Sequence, residues 1–189
     1  SPQKLTGGDM MAASKGPLDG ITVLDLSRIL AGPTCTQALG DLGATIIKIE
    51  HPKRGDDTRT WGPPFALDAD GQPTDLSSYF MSSNRNKLSV AVDIATPEGQ
   101  ETVRQIAARA DIVIENFKPG RLEGWGLGWD ALHELNPGLI MLRISGYGQT
   151  GPYSRKPGFG ALGEAMGGLR NLTGEPGRVP VRVGVSIGD

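Results

Sequence analysis

Short apolar runs alternate with amphipathic stretches along most of the chain. Five of the runs predict β-strands, at residues 21–26, 45–50, 88–93, 112–114 and 139–144. The periodicity between them predicts helices at residues 34–42, from residue 96 to about residue 110, and at 129–135. Continuous apolar strands separated by helices are typical of a parallel sheet covered on both faces. We therefore predict an α/β fold with a Rossmann-like, doubly wound, mostly parallel sheet, whose ligands bind beyond the carboxyl ends of the strands.

Helix boundaries are marked by proline and capping residues. Gly32-Pro33 enters the first helix, and Thr96-Pro97-Glu98 places a cap, a first-turn proline and an acid at the start of another. Asn136-Pro137-Gly138 stops the third. Residues 51–74 are predicted to form the longest surface loop, and residues 146–160 the second.

Composition narrows the class of protein. The chain has 189 residues, a net charge of −2, 28 glycines, 14 prolines and one cysteine. This charge gives no general attraction to nucleic acid or to anionic membranes, and no apolar run is long enough to span a bilayer. A lone cysteine excludes an internal disulfide framework. We expect a reducing compartment, the cytoplasm or, in a eukaryote, the mitochondrial matrix.

The two ends of the sequence carry separate expectations. Residues 1–16 are interpreted as a flexible arm or a remnant of expression, and residues 17–189 as an α/β portion. The final run, Val183 to Asp189, is typical of a strand that turns at Gly-Asp. We expect either a fragment or a chain whose remainder is supplied by a second polypeptide.

Candidate binding residues follow the predicted strands. After the first strand, Arg28 precedes a small-residue turn at a helix N-terminus, which suits an anion, although an ordinary strand-to-helix turn is the alternative. After the fourth strand, Asn116 and Phe117 offer an amide and a ring that suit a nucleotide, or else a capped turn with a core phenylalanine. Lys118 and Arg121 are expected to be solvated unless a phosphate lies beside them.

Other polar segments give weaker evidence for a functional site. Arg54 and Arg59 could receive phosphates, or could pair with the neighbouring Asp56 and Asp57. The run from Asn84 to Lys87 lies before a strand, so turn formation and ion pairing are expected there. The glycine-rich run from residue 146 to residue 153 allows close approach to a ligand or a hinge, with a structural turn as the alternative.

Several reaction classes have no support in the sequence. His51 and His133 have no ligands at metal-site spacing, and His133 is predicted to be a surface residue of a helix. Cys35 falls on an apolar helix, where a buried thiol is more common than a nucleophile. No serine lies in a nucleophile elbow.

Taken together, the motifs resemble the N-terminal half of class III CoA-transferases, the family of formyl-CoA transferase and carnitine CoA-transferase, which is related to α-methylacyl-CoA racemase. Each motif is weak alone, but their order and spacing along residues 16–189 are specific. The segments that carry the resemblance are 23–33, 39–44, 47–50, 55–59, 84–87, 115–120, 145–152 and Gly188-Asp189.

The resemblance implies a catalytic role for Asp189. Its carboxylate would attack the thioester of an acyl-CoA, giving an acyl-aspartyl anhydride and CoA thiolate. The thiolate would then form an aspartyl-CoA thioester, from which an acceptor carboxylate takes the CoA. Coenzyme A and acyl-CoA are thus substrates, and no prosthetic group and no metal are expected. Backbone N–H groups of glycine-rich segments could hold the oxyanion.

The resemblance also implies that residues 17–189 are an N-terminal CoA-binding α/β portion ending at the catalytic Asp189, and it assigns binding residues. The CoA contacts that it implies are Arg28, Leu30, Ala31, His51, Asn116 and Phe117. Substrate contacts are predicted at Arg59, Gly146, Tyr147 and Gln149. Formyl-CoA transferase has His and Gln in place of Arg28 and Leu30, so the pattern argues against oxalate or formate. The run from Gly55 to Phe65 is closer to members that use succinyl-CoA and load dicarboxylates, where the planar guanidinium of Arg59 suits a carboxylate.

Two alternative functions remain in view. A racemase needs a pair of bases, and related racemases place a histidine in the glycine-rich region where this chain has Tyr147-Gly148-Gln149. A CoA-binding fragment without chemistry is the second. Family members are longer and form interlocked homodimers, so the resemblance implies partnership with a C-terminal portion and a second subunit, with no nucleic-acid or membrane partner.

Overall fold

The structure, a computed structural model, describes residues 16–188. Within them the strands are β1 (Thr22–Asp25), β2 (Thr45–Glu50), β3 (Phe65–Leu67), β4 (Pro73–Ser77), β5 (Lys87–Ala91), β6 (Ile112–Glu115) and β7 (Ile140–Arg143). The helices are α1 (Ala31–Asp41), α2 (Ser78–Asn84), α3 (Pro97–Ala107), α4 (Arg121–Gly124), α5 (Trp129–Leu135) and α6 (Gly160–Met166). Short 3-10 helices cover Asp57–Thr60 and Leu169–Leu172. The predicted arm at residues 1–16 lies outside the described residues except for Gly16.

Five strands form one parallel sheet in the order β5-β2-β1-β6-β7. Both β2 and β6 pair with β1, so the strand order reverses direction on either side of β1. In doubly wound sheets this reversal opens a crevice at the carboxyl ends of the central strands, where ligands bind. The predicted α/β class and parallel sheet are confirmed.

Helices cover the two faces of the sheet and enclose two hydrophobic clusters. On one face, α3, α4 and α5 pack over a cluster that includes Leu24, Val103, Val113 and Leu132, all with 0% exposure. On the other face, α1 packs over Val23, Ile46 and Ile114. The sheet is thus a central layer between helices, as the apolar strands require.

The helix ends follow the predicted capping signals in part. Thr96 accepts a hydrogen bond from the Gly99 N–H at 3.1 Å, with Pro97 in the first turn of α3. The first helix, predicted from residue 34, begins three residues earlier, at Ala31. Its first turn passes so close to the preceding loop that a Cβ on Gly32 would meet the side chain of Ser27, and only glycine fits there.

The prediction of one long loop at residues 51–74 is wrong. The segment holds the 3-10 helix Asp57–Thr60 and the strands β3 and β4 of an antiparallel hairpin, which leads into α2. Its polar sequence hid these short elements, because buried side-chain hydrogen bonds hold them. Ser77 donates to the Thr58 carbonyl oxygen and accepts from the Phe80 N–H.

The turn from Asn84 to Lys87 forms ion pairs, as predicted. Arg85 pairs with Asp41 across the surface. Lys87 lies deeper, with its Nζ 3.2 Å from Asp25 and its side chain 2% exposed. Asn86 has a φ of 61°, which asparagine tolerates better than most residues.

The segment after β7 contains turns, α6 and the 3-10 helix Leu169–Leu172. It leaves large apolar side chains in solvent, among them Phe159 at 70%, Leu172 at 82% and Val179 at 84% exposure. Exposed apolar side chains that group into a patch are typical of surfaces at which other protein packs. Among the helices of residues 16–188, none has the length and apolar character to cross a bilayer.

Candidate functional site

A cleft of about 440 Å³ opens at the carboxyl edge of the sheet, over the reversal of strand order at β1. Residues that follow β1, β2, β5 and β6 line it. They include Arg28, His51, Arg54, Phe117, Arg121 and Trp125. This is the edge at which the sequence predicts ligand binding, and its lining combines cations with aromatic rings.

The wall formed by the β1–α1 loop, residues 26–30, is held by the side chain of Asn116. The Asn116 Oδ1 accepts from the Arg28 N–H at 2.8 Å, and the Asn116 Nδ2 donates to the Arg28 carbonyl oxygen at 2.7 Å. Asn116 therefore ties the end of β6 to the end of β1. Both polar functions of its amide are engaged within the protein.

The floor of the cleft is aromatic. The rings of Phe117 and Trp125 meet edge to face with centroids 5.4 Å apart. The guanidinium of Arg28 lies 5.7 Å from the Phe117 centroid, and that of Arg121 lies 5.2 Å from the Trp125 centroid. Two rings flanked by two arginines suit a planar group that carries phosphates. Arg121 is exposed, as predicted, and it lines the cleft.

Buried charges lie directly beneath the loop. Lys48 Nζ is 2.9 Å from Asp56 Oδ2, and their side chains are 1% and 0% exposed. The same Nζ donates to the Ser27 carbonyl oxygen at 2.9 Å. Burial by itself would raise the pKa of Asp56, but Lys48 and the hydrogen bonds from Thr58 outweigh it and lower that pKa. Asp56 is therefore held as a carboxylate inside the protein.

Arg59 forms the second buried pair. Its Nε and Nη2 bind the two carboxylate oxygens of Glu50 at 2.7 and 2.8 Å, and its guanidinium stacks 3.9 Å from the Phe80 centroid. Burial opposes ionisation of Glu50, but the bonds from Arg59, Ser89 and the Asp56 N–H lower its pKa to about 2. Arg59, Asp56 and Asp57 each form an ion pair, but with Glu50, Lys48 and Arg28 and not with one another. Arg54 lines the cleft.

Of the remaining predicted CoA contacts, His51 lines the cleft, and Leu30 and Ala31 are not among its lining residues. Leu30 and Ala31 are half-buried at the start of α1, where no side chain in the described part of the chain caps the first turn. His51 lines the cleft and accepts from the Lys53 N–H through Nδ1 at 3.2 Å. Arg28 also pairs with Asp57 at 3.2 Å.

The glycine-rich substrate segment is not part of this cleft. Gly146 approaches Gly158 so closely that a Cβ on either would meet the other's backbone. The Tyr147 ring contacts Tyr153 edge to face at 5.6 Å, and Gln149 donates to Ser145 Oγ at 3.4 Å. These contacts fold the segment on itself after β7.

The predicted nucleophile, Asp189, lies outside the described residues. Its predecessor Gly188 packs against α6, where an added Cβ would meet the Gly160 carbonyl oxygen and, at 3.1 Å, the Glu164 Cγ. Glu164 has a fully buried side chain that pairs with Arg170 at 3.4 Å and Arg182 at 3.8 Å. Gly188 therefore packs beside a buried carboxylate that is paired with two cations.

Residues predicted to be chemically silent behave mostly as expected. Cys35 is half-buried against the α1 face of the sheet, and burial raises the pKa of its thiol, so it is a poor nucleophile. His133 is half-buried and stacks on Trp129 with centroids 4.6 Å apart, so the prediction of a surface position is wrong. Within residues 16–188, no group of three His, Cys, Asp or Glu side chains could hold a metal ion.

Sequence reasoning missed several residues of the cleft. Lys48 and Glu50 are the charged positions of an otherwise apolar strand, and that interruption is a signal for buried ion pairs. Asp56 and Trp125 gave no comparable signal, because their positions depend on tertiary packing. Arg121 was predicted to be solvated unless a phosphate lies beside it, and it lines the cleft.

Comparison with known sequences identifies the family to which the chain is similar. A family model described as CoA-transferase family III matches residues 18–189. The chain is 52% identical over 173 residues to succinyl-CoA--D-citramalate CoA-transferase of Chloroflexus aurantiacus, covering 92% of this chain and 41% of the relative. It is 48% identical to human succinyl-CoA:glutarate CoA-transferase, covering 92% and 38%. The chain therefore spans about 40% of the length of these relatives.

Solved structures agree with the sequence comparison. A CAIB/BAIF family protein from Brucella suis superposes with a TM-score of 0.85 at 49% identity, over 91% of this chain and 44% of that one. Rv3272 from Mycobacterium tuberculosis gives a TM-score of 0.79 at 36% identity, over 92% and 46%. With the family match spanning nearly all of its length, this chain belongs to CoA-transferase family III.

Proposed function

We propose that this chain supplies the acyl-CoA-binding edge and the nucleophile of an enzyme that moves CoA from an acyl-CoA thioester to a carboxylic acid. The observation that carries the proposal is the cleft at the reversal of strand order, lined by Arg28, Phe117, Arg121 and Trp125. Its rings suit the adenine of CoA, and its arginines suit the phosphates.

The contacts with CoA divide by chemistry. Phe117 and Trp125 would stack on the base, while Arg54, Arg121 and His51 would meet phosphate groups. The N–H groups of Ala31 and Gly32 favour negative charge because they lie in the first turn of α1, at the positive end of the helix dipole. Arg28 would bind a phosphate by exchanging its exposed partner Asp57, a pair of little energetic cost to break.

The proposed chemistry uses Asp189 as a covalent nucleophile. Its carboxylate oxygen attacks the thioester carbonyl, the C–S bond breaks, and an acyl-aspartyl anhydride and CoA thiolate form. The thiolate then attacks the aspartyl carbonyl, which releases the donor's carboxylate and leaves an aspartyl-CoA thioester. The acceptor carboxylate attacks this thioester and releases CoA thiolate. The thiolate attacks the acyl carbonyl of the new anhydride, which gives the new acyl-CoA and restores Asp189. Remote binding of the nucleotide holds the thioester at the acid throughout.

Succinyl-CoA as donor and a dicarboxylate as acceptor are the favoured substrates. The names of relatives from Chloroflexus aurantiacus, human and Agrobacterium fabrum all pair succinyl-CoA or succinate with a second dicarboxylate. A distal carboxylate needs a cation near the reaction centre. Arg59 would offer Nη1, since its Nε and Nη2 bind Glu50, and Gly146, Tyr147 and Gln149 would line the acyl side.

The proposal includes assembly with further protein. The exposed side chains of Phe159, Leu172 and Val179 form a surface that a C-terminal portion and a second subunit of an interlocked homodimer would cover. A chain about 40% as long as its relatives would need such complementation to complete the site.

The test is transfer by the complemented protein, meaning this chain together with the C-terminal portion of a relative. We expect CoA exchange between succinyl-CoA and glutarate, and its loss in Asp189→Ala. A matched control is Glu175→Ala, which removes an acid of the same segment that is 78% exposed and should leave the rate unchanged. Turnover by Asp189→Ala at the wild-type rate contradicts the mechanism, and CoA binding without transfer supports a binding-only function.

A further inference from the structure

The β1–α1 loop holds a conformation that its sequence disfavours. Ile29 has a φ of 72°, in the left-handed region. A β-branched residue is strained there, because its side chain crowds the backbone, and such strain persists only where surrounding contacts enforce it. Ile29 does not line the cleft, so the contacts that enforce its conformation can affect the cleft only through the shape of the loop.

Side chains from three other segments bind consecutive backbone groups of this loop. Lys48 of β2 donates to the Ser27 carbonyl oxygen, and Asn116 binds both the N–H and the carbonyl of Arg28. The Ile29 N–H is shared between the two carboxylate oxygens of Asp56, each at 3.3 Å. Every residue from 27 to 29 is thus fixed by a side chain distant in sequence.

Asp56 is itself held rigidly. Its Oδ2 pairs with Lys48 at 2.9 Å, and its Oδ1 accepts from the N–H and hydroxyl of Thr58 at 3.0 and 2.8 Å. Its own N–H donates to Glu50 at 2.9 Å, which links it to the Glu50–Arg59 pair. Such a carboxylate cannot follow the loop if the loop moves, so it acts as a fixed acceptor.

Burying the Lys48–Asp56 pair costs free energy, so a role for the pair other than stability is expected. The side chains of Lys48 and Asp56 are 1% and 0% exposed, so both charges lose most of their hydration. Their mutual attraction offsets only part of that loss. An acidic side chain beside a cleft for a polyanion also opposes binding by simple charge. A role in shaping the loop accounts for both features.

We infer that Asp56, fixed by Lys48 and acting with Asn116, is a positioning residue that holds Ile29 in the left-handed conformation and so shapes the loop wall of the CoA cleft. The inference rests on the proposed function only for the identity of the ligand. The Asn116 amide serves the loop, so its contribution to CoA binding is indirect.

The test compares two neighbouring acids in the 189-residue chain. Asp56→Asn and Asp57→Asn each remove one negative charge, but Asp57 is in an exposed pair with Arg28. We expect Asp56→Asn to weaken CoA binding at least tenfold in calorimetry, although loss of an acid should by charge alone strengthen it. Asp57→Asn, which frees Arg28 for a phosphate, should leave the affinity equal to that of the wild type or make it tighter. Faster amide exchange at residue 29 should accompany the loss only in Asp56→Asn.

Ile29→Gly tests whether Asp56 acts by holding residue 29 in the left-handed conformation. Glycine adopts a φ of 72° freely, so Asp56→Asn combined with Ile29→Gly should recover most of the affinity that Asp56→Asn loses. Equal CoA affinity and equal amide exchange at residue 29 in the two Asn variants, or no recovery of affinity in the double variant, would overturn the inference. A wild-type chain that binds no CoA while exchange at residue 29 still responds to Asp56→Asn overturns the proposed ligand and supports the positioning role.

Discussion

The carboxyl edge of the sheet and the segment from Phe159 to Ile187 differ in how their side chains are held. At the edge, Lys48, Asp56 and Glu50 are buried and bonded on several sides. In the later segment, Leu172 is 82% exposed and Val179 is 84% exposed. We therefore expect the CoA-binding wall to be formed by this chain's own packing, and the surroundings of Asp189 to depend on surfaces supplied by other protein.

The two regions should differ most in how much the free energy of unfolding changes when an apolar side chain is removed. Leu24→Ala removes a side chain with 0% exposure from the sheet core and should lower the free energy of unfolding by about 3 kcal/mol, from lost burial and a residual cavity. Leu172→Ala should change it by less than about 0.5 kcal/mol. Urea unfolding of both variants checks this. Equal losses would show that the later segment packs as firmly as the core.

The charged pairs of the edge should give a smaller but clear effect. Glu50→Gln breaks the bidentate bond to Arg59 and should cost about 2 kcal/mol at pH 7. The folded pKa of Glu50 is about 2, below its ordinary 4.5, so its contribution is complete above pH 4.5 and is lost as the pH falls toward 2. Urea unfolding across this range should show a flatter acid slope in the variant. Glu175→Gln, an exposed acid, is the control and should keep the wild-type slope.

Lys87 tests the same edge at alkaline pH. Burial is the main cause that lowers its pKa to about 8 from 10.5, although Asp25 opposes the shift. Between these two values the unfolded chain binds more protons than the folded one, so stability should rise with pH from 8 toward 10.5, by about 2 kcal/mol at pH 10. An NMR titration of the Lys87 Nζ should give the lowered pKa. An ordinary lysine pKa and a flat stability profile would mean that this pair is hydrated.

The smallest effect is expected for an ion pair of the later segment. Arg178 and Glu175 are 79% and 78% exposed and 3.4 Å apart. Arg178→Ala should change the free energy of unfolding by less than about 0.5 kcal/mol, since exposed pairs lose in solvation and entropy most of what they gain. A loss near that of Glu50→Gln would mean that the two regions are held alike.

The parallel sheet was predictable because its strands are almost wholly apolar. The runs at residues 45–50 and 112–114 could belong only to strands buried on both faces, and the order of helices between them implied crossovers. The hairpin of β3 and β4 was missed because Pro73, Thr74 and Asp75 carry no alternating apolar pattern. Its order depends on Ser77 and Thr58, which meet only in the folded chain.

The candidate site was predictable in its position and only partly in its contacts. Strand ends located Arg28, His51 and Phe117 at one edge, since carboxyl ends of parallel strands meet there. The engagement of Arg59 with Glu50 and of Asp56 with Lys48 depends on loop geometry that residue spacing does not encode. The hydrogen bonds from the Asn116 side chain to the Arg28 backbone could not be predicted from the sequence either, because the two residues are 88 positions apart.

The most direct test of the central claim is NMR chemical-shift mapping of CoA on the 189-residue chain. Binding at the carboxyl edge predicts the largest shifts at Arg28, Ala31, His51, Phe117 and the Trp125 indole N–H. Shifts concentrated instead around Thr102 and Arg109, which line a separate groove, or no shifts at millimolar CoA, would contradict the account.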